Sequence, residues 1–161
     1  MHKSSYSTMA RLRACIAPGA RVLDVGGAVV NGSYRTLFAD CKYTSLDFAG
    51  ADVNVVGYDW PLDDESFDAV ISGQALEHDG MFWRTMTNIA RVLKPGGYAI
   101  LIVPSSGEVH RFPVDCYRFL PDSMAALAEW SGLELVATHW DNPPSNQWRD
   151  LAAVFRRPEA I

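Results

Sequence analysis

Two acidic residues and a pair of glycines in the first third of the chain have the types and spacing of a nucleoside-binding site. Asp24 precedes Gly26 and Gly27 in the segment Arg21-Val-Leu-Asp-Val-Gly-Gly27, and Asp47 ends the next apolar run. A glycine turn after a strand brings backbone amides close to a ligand, because glycine has no side chain. A carboxylate about 20 residues further on can accept hydrogen bonds from both hydroxyls of a ribose. Alone, the glycines could form an ordinary tight turn and Asp47 could be a solvated carboxylate, so the prediction rests on their combination with later segments.

Alternating strands and helices must position these residues. The apolar pattern predicts seven strands, over residues 21–26, 42–48, 52–56, 68–72, 98–103, 133–139 and 151–156. It predicts helices over residues 5–16, 33–39 and 121–130, and one more that Asp79 caps and Pro95 ends. This alternation is typical of an α/β fold with a mainly parallel sheet, which binds ligands at the carboxyl ends of its strands. Those ends fall at Asp24–Gly27, Asp47, Asp59 and Gly73–His78.

The bulk composition fits one globular domain of 161 residues with a net charge of -5. The acidic balance and the lack of a Lys/Arg run argue against a large nucleic-acid surface. Cys15, Cys41 and Cys116 lack the spacing of zinc ligands, so no metal is predicted, and free thiols suit a reducing cytoplasm. The start has no signal-peptide pattern and no apolar run could span a bilayer. We therefore expect a cytoplasmic protein that has no membrane partner.

Longer segments carry a family resemblance. Phe67-Asp-Ala-Val-Ile-Ser-Gly-Gln-Ala-Leu-Glu-His78 and Arg91-Val-Leu-Lys-Pro-Gly-Gly97 follow the Asp24 segment, and together they resemble the class I S-adenosylmethionine-dependent methyltransferases. The stretch His110-Arg-Phe-Pro-Val-Asp-Cys-Tyr-Arg-Phe119 resembles a small bacterial subgroup of methyltransferase type 11-like proteins. The resemblance implies a Rossmann-like, seven-stranded, mainly parallel sheet with helices on both faces and an antiparallel last strand. It also implies S-adenosylmethionine as the cofactor.

The resemblance implies a set of cofactor-binding residues, which are Asp24, Gly26, Gly27, Asp47, Phe48, Asp59, Trp60 and Gln74. In such methyltransferases an acidic residue after the third strand contacts the adenine amino group and its neighbour flanks the ring. These roles would fall to Asp59 and Trp60, although a turn carboxylate beside a core tryptophan is the alternative. The chain departs from the family in its glycine loop, where Ala28 replaces a spaced glycine and Asn31-Gly32 would restore the turn. The same departure argues against a nicotinamide dehydrogenase, which needs the full glycine spacing.

Two histidines are the candidates for catalysis on the acceptor side. Methyl transfer to a hydroxyl usually needs a general base, most often histidine, and His78 and His110 fall on the predicted binding edge. Glu77, Arg111, Asp115 and Tyr117 are the candidate substrate-binding residues. The alternatives are a structural role for His78 and a self-satisfied loop in which Arg118 pairs with Asp115.

We therefore expect a methyltransferase acting on a small polar acceptor, such as a sugar or natural-product hydroxyl. Its single domain would comprise an N-terminal helical segment (1–19), a cofactor-binding half (20–104) and an acceptor-side part (105–161). The alternatives are a cofactor-binding module that works with a partner protein and, less favoured, a protein or nucleic-acid methyltransferase. The sequence leaves monomer and homodimer open.

Overall fold

A computed structural model describes residues 3–30, 32–141, 143 and 147–159. The strands are β1 (Arg21–Val25), β2 (Lys42–Asp47), β3 (Val53–Asn54), β4 (Phe67–Gly73), β5 (Leu93–Pro104), β6 (Glu134–Trp140) and β7 (Asp150–Arg156). The helices are α1 (Lys3–Leu12), α2 (Phe82–Val92) and α3 (Asp122–Ser131). Single 3-10 turns cover Arg13–Cys15, Arg35–Phe38 and Leu76–His78. No described helix has the length and apolar character needed to cross a membrane.

All seven strands form one sheet in the order β3-β2-β1-β4-β5-β7-β6. Strands β1 to β5 pair in parallel, whereas β7 runs antiparallel to both β5 and β6. The predicted fold class, a mainly parallel seven-stranded sheet with an antiparallel last strand, is confirmed. The chain order reverses between β1 and β4, which is where open α/β sheets place their ligands.

The sheet is covered on both faces, as predicted. Leu101 and Val103 of β5 pack in a core with residues of α2 and α3. Ile100 and Ile102 of the same strand pack on the other face, in a core that includes Met9 of α1. The alternation arises because successive strand side chains point to opposite faces. This double burial explains why β4 and β5 are continuous apolar runs.

Several element boundaries differ from the predictions. Helix α1 ends at Leu12 and continues as a 3-10 turn, and the helix expected over 33–39 is a 3-10 turn in which Leu37 N donates to Tyr34 O (2.8 Å). The strand expected over 52–56 is only Val53–Asn54, an edge strand that pairs with β2 alone.

The junction after α2 also differs from the prediction. Helix α2 ends at Val92, and β5 begins at once with Leu93 opposite Phe67, followed by a break in register before Tyr98. Asp79 lies before the helix cap, which is Met81, and binds its amide (Oδ1, 2.9 Å).

Candidate active site

A cavity of about 540 Å³ lies at the carboxyl ends of β1, β2 and β4. Its volume is that of an ordinary small-molecule site. The structure brings ten of the predicted residues to its wall: Asp24, Gly26, Gly27, Asp47, Phe48, Trp60, Gln74, His78, His110 and Arg111. Residues distant in sequence therefore meet at the edge where the sheet topology predicts a ligand.

Four predicted site residues are not part of this wall. Asp59 is exposed, while its neighbours Tyr58 and Trp60 line the cavity. Glu77 is fully buried, and Asp115 and Tyr117 lie in the loop that follows β5. The structure does not bring Asp59, Glu77, Asp115 or Tyr117 to the cavity surface.

The glycine turn after β1 depends on close packing. Gly26 has a φ of 78°, and a Cβ there would lie 2.3 Å from Cβ of Ala75. A Cβ on Gly27 would lie 2.8 Å from the carbonyl oxygen of Asp24. Both glycine amides donate to the carbonyl oxygen of Leu46, at 2.8 and 3.2 Å. The turn therefore lets the backbone pack closely, but these two amides are already used within the fold, which differs from the expectation that they face a ligand.

Asp24 is buried at the end of β1, with 3% of its surface exposed. Tyr43 of the neighbouring strand β2 donates a hydrogen bond from its hydroxyl to Oδ2 of Asp24. Burial raises the pKa of Asp24 to about 7, because a desolvated carboxylate is costly. The Tyr43 hydrogen bond opposes this rise, and the nearby Asp47 adds to it. Asp24 is thus poised to gain or lose a proton near neutral pH.

Asp47 is fixed at the end of β2 by backbone amides. Its Oδ1 accepts a hydrogen bond from Phe48 N (2.7 Å), and its Oδ2 accepts one from Ala28 N (3.1 Å). Each carboxylate oxygen can accept further hydrogen bonds. Ala28, which breaks the family's glycine pattern, therefore holds Asp47 in place through its amide. Asn31, expected to restore the turn, lies outside the described residues.

Gln74 follows β4 with a φ of 58° and forms hydrogen bonds with residues of β5 and β7. Its amide donates to Ile102 O (2.8 Å), and its Nε2 donates to Oδ1 of Asp150 (3.0 Å). Asp150 in turn accepts a hydrogen bond from Ser4 Oγ (2.7 Å) of α1. The Oε1 atom of Gln74 is buried and has no partner among the described residues. Gln74 thus brings one unused acceptor to a site that is braced by α1 and β7.

The two histidines meet at the wall of the cavity. Their rings lie 4.9 Å apart in an edge-to-face arrangement. His78 Nδ1 lies 2.7 Å from the carbonyl oxygen of Val114, which fixes the proton on Nδ1. Burial lowers the pKa of His78, although the Val114 hydrogen bond opposes the change. The shift favours the neutral form of His78, which has its proton on Nδ1 and a lone pair on Nε2.

The loop after β5 is held against β4 by the backbone of Glu77. The carbonyl oxygen of Glu77 accepts hydrogen bonds from Cys116 N (2.7 Å) and Tyr117 N (3.2 Å). Within the loop, Arg118 pairs with Asp115 at 2.6 Å, and this pair holds the pKa of Asp115 far below its usual range. The structure therefore shows the Arg118–Asp115 ion pair that the alternative interpretation of this loop predicts. The same loop nevertheless places His110 and Arg111 at the cavity wall.

Sequence reasoning missed several residues that shape the site. Tyr58 donates a hydrogen bond to Asp79, and Thr85 Oγ1 donates to the same carboxylate (2.5 Å); all three line the cavity. Asp79 could have been found, because it directly follows His78 at the predicted binding edge. Tyr43 and Asp150 carried no such signal, since their contacts depend on how strands pair.

Comparisons with known proteins agree with this geometry. The family described as "Methyltransferase domain" matches residues 33–101, a segment that begins after the glycine turn. Phthiotriol/phenolphthiotriol dimycocerosates methyltransferase 1 of Mycobacterium ulcerans is 36% identical over an alignment 116 positions long, which covers 60% of this chain and 42% of that protein. Residues 33–101 of this chain are thus similar to a methyltransferase domain, as the family resemblance predicts. The comparisons agree with the predicted family, and the chain spans less than half the length of that curated relative.

Solved methyltransferases share the fold at low sequence identity. The 1,6-didemethyltoxoflavin-N1-methyltransferase of Burkholderia thailandensis, solved with its acceptor and S-adenosylhomocysteine, has a TM-score of 0.77 and 16% identity, covering 98% of this chain and 80% of its own. The N-methyltransferase NodS of Bradyrhizobium japonicum has a TM-score of 0.73 and 19% identity, with coverages of 98% and 96%. Both structures support the predicted fold.

Proposed function

We propose that this chain transfers a methyl group from S-adenosylmethionine to a hydroxyl of a small polar acceptor, such as a sugar or a natural product. The observation that carries the proposal is one cavity with carboxylates at the ends of β1 and β2 and two histidines beside β4. The cofactor is cationic at its sulfonium and amino groups, and its ribose needs hydrogen-bond acceptors. The carboxylates meet both needs, and the histidines lie where an acceptor would stand.

The cofactor would lie across the ends of β1 and β2. Asp47 would accept hydrogen bonds from the ribose hydroxyls, because its two oxygens are already fixed by backbone amides. Asp24 would accept from the methionine amino group, and Gln74 would bind the same end through its unused Oε1. Trp60 and Phe48 would flank the adenine. The adenine role of Asp59 rests on the resemblance alone and stays a prediction.

The acceptor would lie against His78, His110 and Arg111. In the transfer, an acceptor oxygen attacks the methyl carbon and the C–S bond breaks with its electron pair on sulfur, giving neutral S-adenosylhomocysteine. The hydroxyl proton needs a base, and the imidazole of His78 or His110 can take it. Arg111 would bind anionic or polyol groups of the acceptor. Glu77, Asp115 and Tyr117 would support the loop that carries these residues, and their direct contact with substrate stays a prediction.

The test is a transfer assay with methyl-labelled S-adenosylmethionine and a panel of sugars, polyols and phenols. We expect label in at least one hydroxyl acceptor, and a loss of about 100-fold in kcat for His110→Ala if His110 is the base. His139→Ala is the control, because His139 is exposed on the edge strand β6. Cofactor binding with no transfer to any acceptor would overturn the proposal. The cytoplasmic location stays a prediction, as does the absence of a nucleic-acid partner.

A further inference from the structure

A buried carboxylate beside the two histidines has side-chain oxygens that the proposed mechanism leaves unused. Glu77 is completely inaccessible to solvent, and neither of its side-chain oxygens has a hydrogen-bond partner among the described residues. An unpaired buried carboxyl costs free energy whether it is ionised or neutral. Such a group calls for a physical explanation, and the fold places it directly behind the two histidines.

Nearby cations do not satisfy this carboxylate. Arg118 is close enough to act on Glu77 electrostatically, yet its Nη1 and Nη2 atoms bind Asp115 at 2.6 and 2.8 Å. The Nε2 atom of His78 lies 3.7 Å from Oε1 of Glu77. That distance is too long for a hydrogen bond but suits two ligands of one ion.

Three side chains bring possible metal-ligand atoms close together. One ligand atom each from Glu77, His78 and His110 lies within 4.8 Å of the others. The Nδ1 atom of His78 is tied to Val114 O at 2.7 Å. The Nδ1 atom of His110 lies 3.2 Å from Glu108 O and 3.4 Å from both Arg118 Nη2 and Asp115 Oδ2. The carbonyl partner of His78 fixes its tautomer and leaves Nε2 for the ion.

We propose that Glu77, His78 and His110 bind one divalent transition-metal ion, such as Zn²⁺, Fe²⁺ or Mn²⁺, at the wall of the cavity. Two imidazoles and one carboxylate are a donor set that such ions accept and that Mg²⁺ and Ca²⁺ disfavour. The two histidines line the cavity and Glu77 is buried beside His78, so an ion bound to all three would lie at the edge of the cavity. No ligand spacing in the sequence indicated this, because two donors are adjacent and the third lies in a distant loop.

The role of the ion rests on the proposed function. An acceptor hydroxyl bound to the ion loses its proton to water more readily, since the cation lowers its pKa. The oxygen lone pair then attacks the methyl carbon, and the C–S electron pair leaves with sulfur. The histidines in this state are ligands, and neither is the base.

Cobalt provides a direct probe, because Co²⁺ bound to such ligands absorbs visible light. Tag-free protein stripped with a chelator is titrated with Co²⁺, and we expect absorption that saturates at one equivalent and disappears when Zn²⁺ is added. Glu77→Gln and His110→Gln should each weaken Co²⁺ binding at least about 10-fold. Glu129→Gln and His139→Gln, both exposed and distant from the cluster, should leave it unchanged.

Stability separates a ligand from a structural residue. Metal-free Glu77→Gln should melt at or above the temperature of the metal-free parent, because the change removes an unpaired buried carboxylate. It should also lose the rise in melting temperature that Zn²⁺ gives the parent. No saturable Co²⁺ absorption, or equal binding by Glu77→Gln and His110→Gln, would overturn the site.

Cofactor binding is measured on the same samples to keep the two proposals apart. Stoichiometric Co²⁺ binding without S-adenosylmethionine binding would retain the metal site and remove the proposed function. If the chelated protein still binds S-adenosylmethionine and transfers the methyl group, and gives no Co²⁺ signal, the proposed function is retained and the metal site is removed.

Discussion

Tyr43 donates a hydrogen bond across the β1–β2 pair to Oδ2 of Asp24, at the wall of the cofactor cavity. This bond partly offsets the burial that raises the pKa of Asp24. Tyr43→Phe should therefore raise the pKa of Asp24 further and weaken S-adenosylmethionine binding at pH 7 by roughly 5- to 30-fold. Calorimetric titration measures the change. Tyr98→Phe, in the core on β5, is the matched control, and equal affinities for the two variants would contradict the role given to Asp24.

Stability should depend on pH through Asp24. Its pKa is about 7 in the folded chain and near 3.8 when unfolded, so the folded state binds the extra proton between these values. The protonated Asp24 contributes on the order of 4 kcal/mol to the free energy of unfolding. This contribution is fully present below about pH 4 and is lost as pH rises through about 7. Urea unfolding of the parent and of Asp24→Asn from pH 4 to 8 measures the pH-dependent stability that comes from Asp24. A difference between them that does not change with pH would show that Asp24 is not perturbed.

Cofactor binding should release protons at slightly acidic pH. A cationic ligand beside Asp24 favours its ionised form, so affinity should rise as pH approaches 7 and then level off. Titration at pH 6.5 in two buffers of different ionisation enthalpy measures the protons released. We expect a fraction of one proton for the parent and a smaller value for Asp24→Asn. Equal values would place the ligand's positive charge away from Asp24.

Gly73 allows Tyr34 to pack against the end of β4. A Cβ at this position would lie 2.2 Å from the Tyr34 hydroxyl oxygen, which shares a buried hydrogen bond with Ser5. Gly73→Ala should therefore lower the free energy of unfolding by about 1–3 kcal/mol. Gly80→Ala is the control, because nothing lies within 4 Å of a Cβ there. Equal unfolding midpoints in urea for Gly73→Ala and Gly80→Ala would mean that Tyr34 can move aside without a loss of stability.

Arg111 should affect the acceptor and leave the cofactor unaffected. It lines the cavity from the loop after β5, on the side of the two histidines. Arg111→Gln should raise KM for an anionic or polyol acceptor by roughly 10-fold, and Arg111→Lys by less, with the Kd for S-adenosylmethionine unchanged. Steady-state kinetics and calorimetry together check this. A weaker cofactor affinity with an unchanged acceptor KM would reverse the assignment.

The sequence was sufficient to predict the site residues whose positions depend only on the order of the strands along the chain. Asp24, Asp47, Gln74 and His78 reach the cavity because each follows a strand of a parallel sheet, and this pattern is readable from apolar runs. The hydrogen-bond partners of these residues could not be predicted from the sequence. Gln74 meets Asp150, for example, because an antiparallel strand returns beside β5.

Some local expectations failed for a similar reason. The amides of Gly26 and Gly27 were expected to face a ligand, but the neighbouring strand offers Leu46 O, which accepts hydrogen bonds from both. Whether an amide is free depends on the register of β1 against β2, which local sequence does not specify. The cluster of Glu77 with His110 likewise depends on a loop that folds back over β4.

Calorimetric titration of the purified chain with S-adenosylmethionine tests the central claim most directly. We predict saturable one-to-one binding at micromolar levels and a loss of at least about 10-fold for Asp47→Asn, which removes a charged acceptor of the ribose hydroxyls. Asp63→Asn, an exposed loop residue outside the cavity, should bind like the parent. A folded chain that binds neither S-adenosylmethionine nor S-adenosylhomocysteine, or an Asp47→Asn variant with unchanged affinity, would contradict the account.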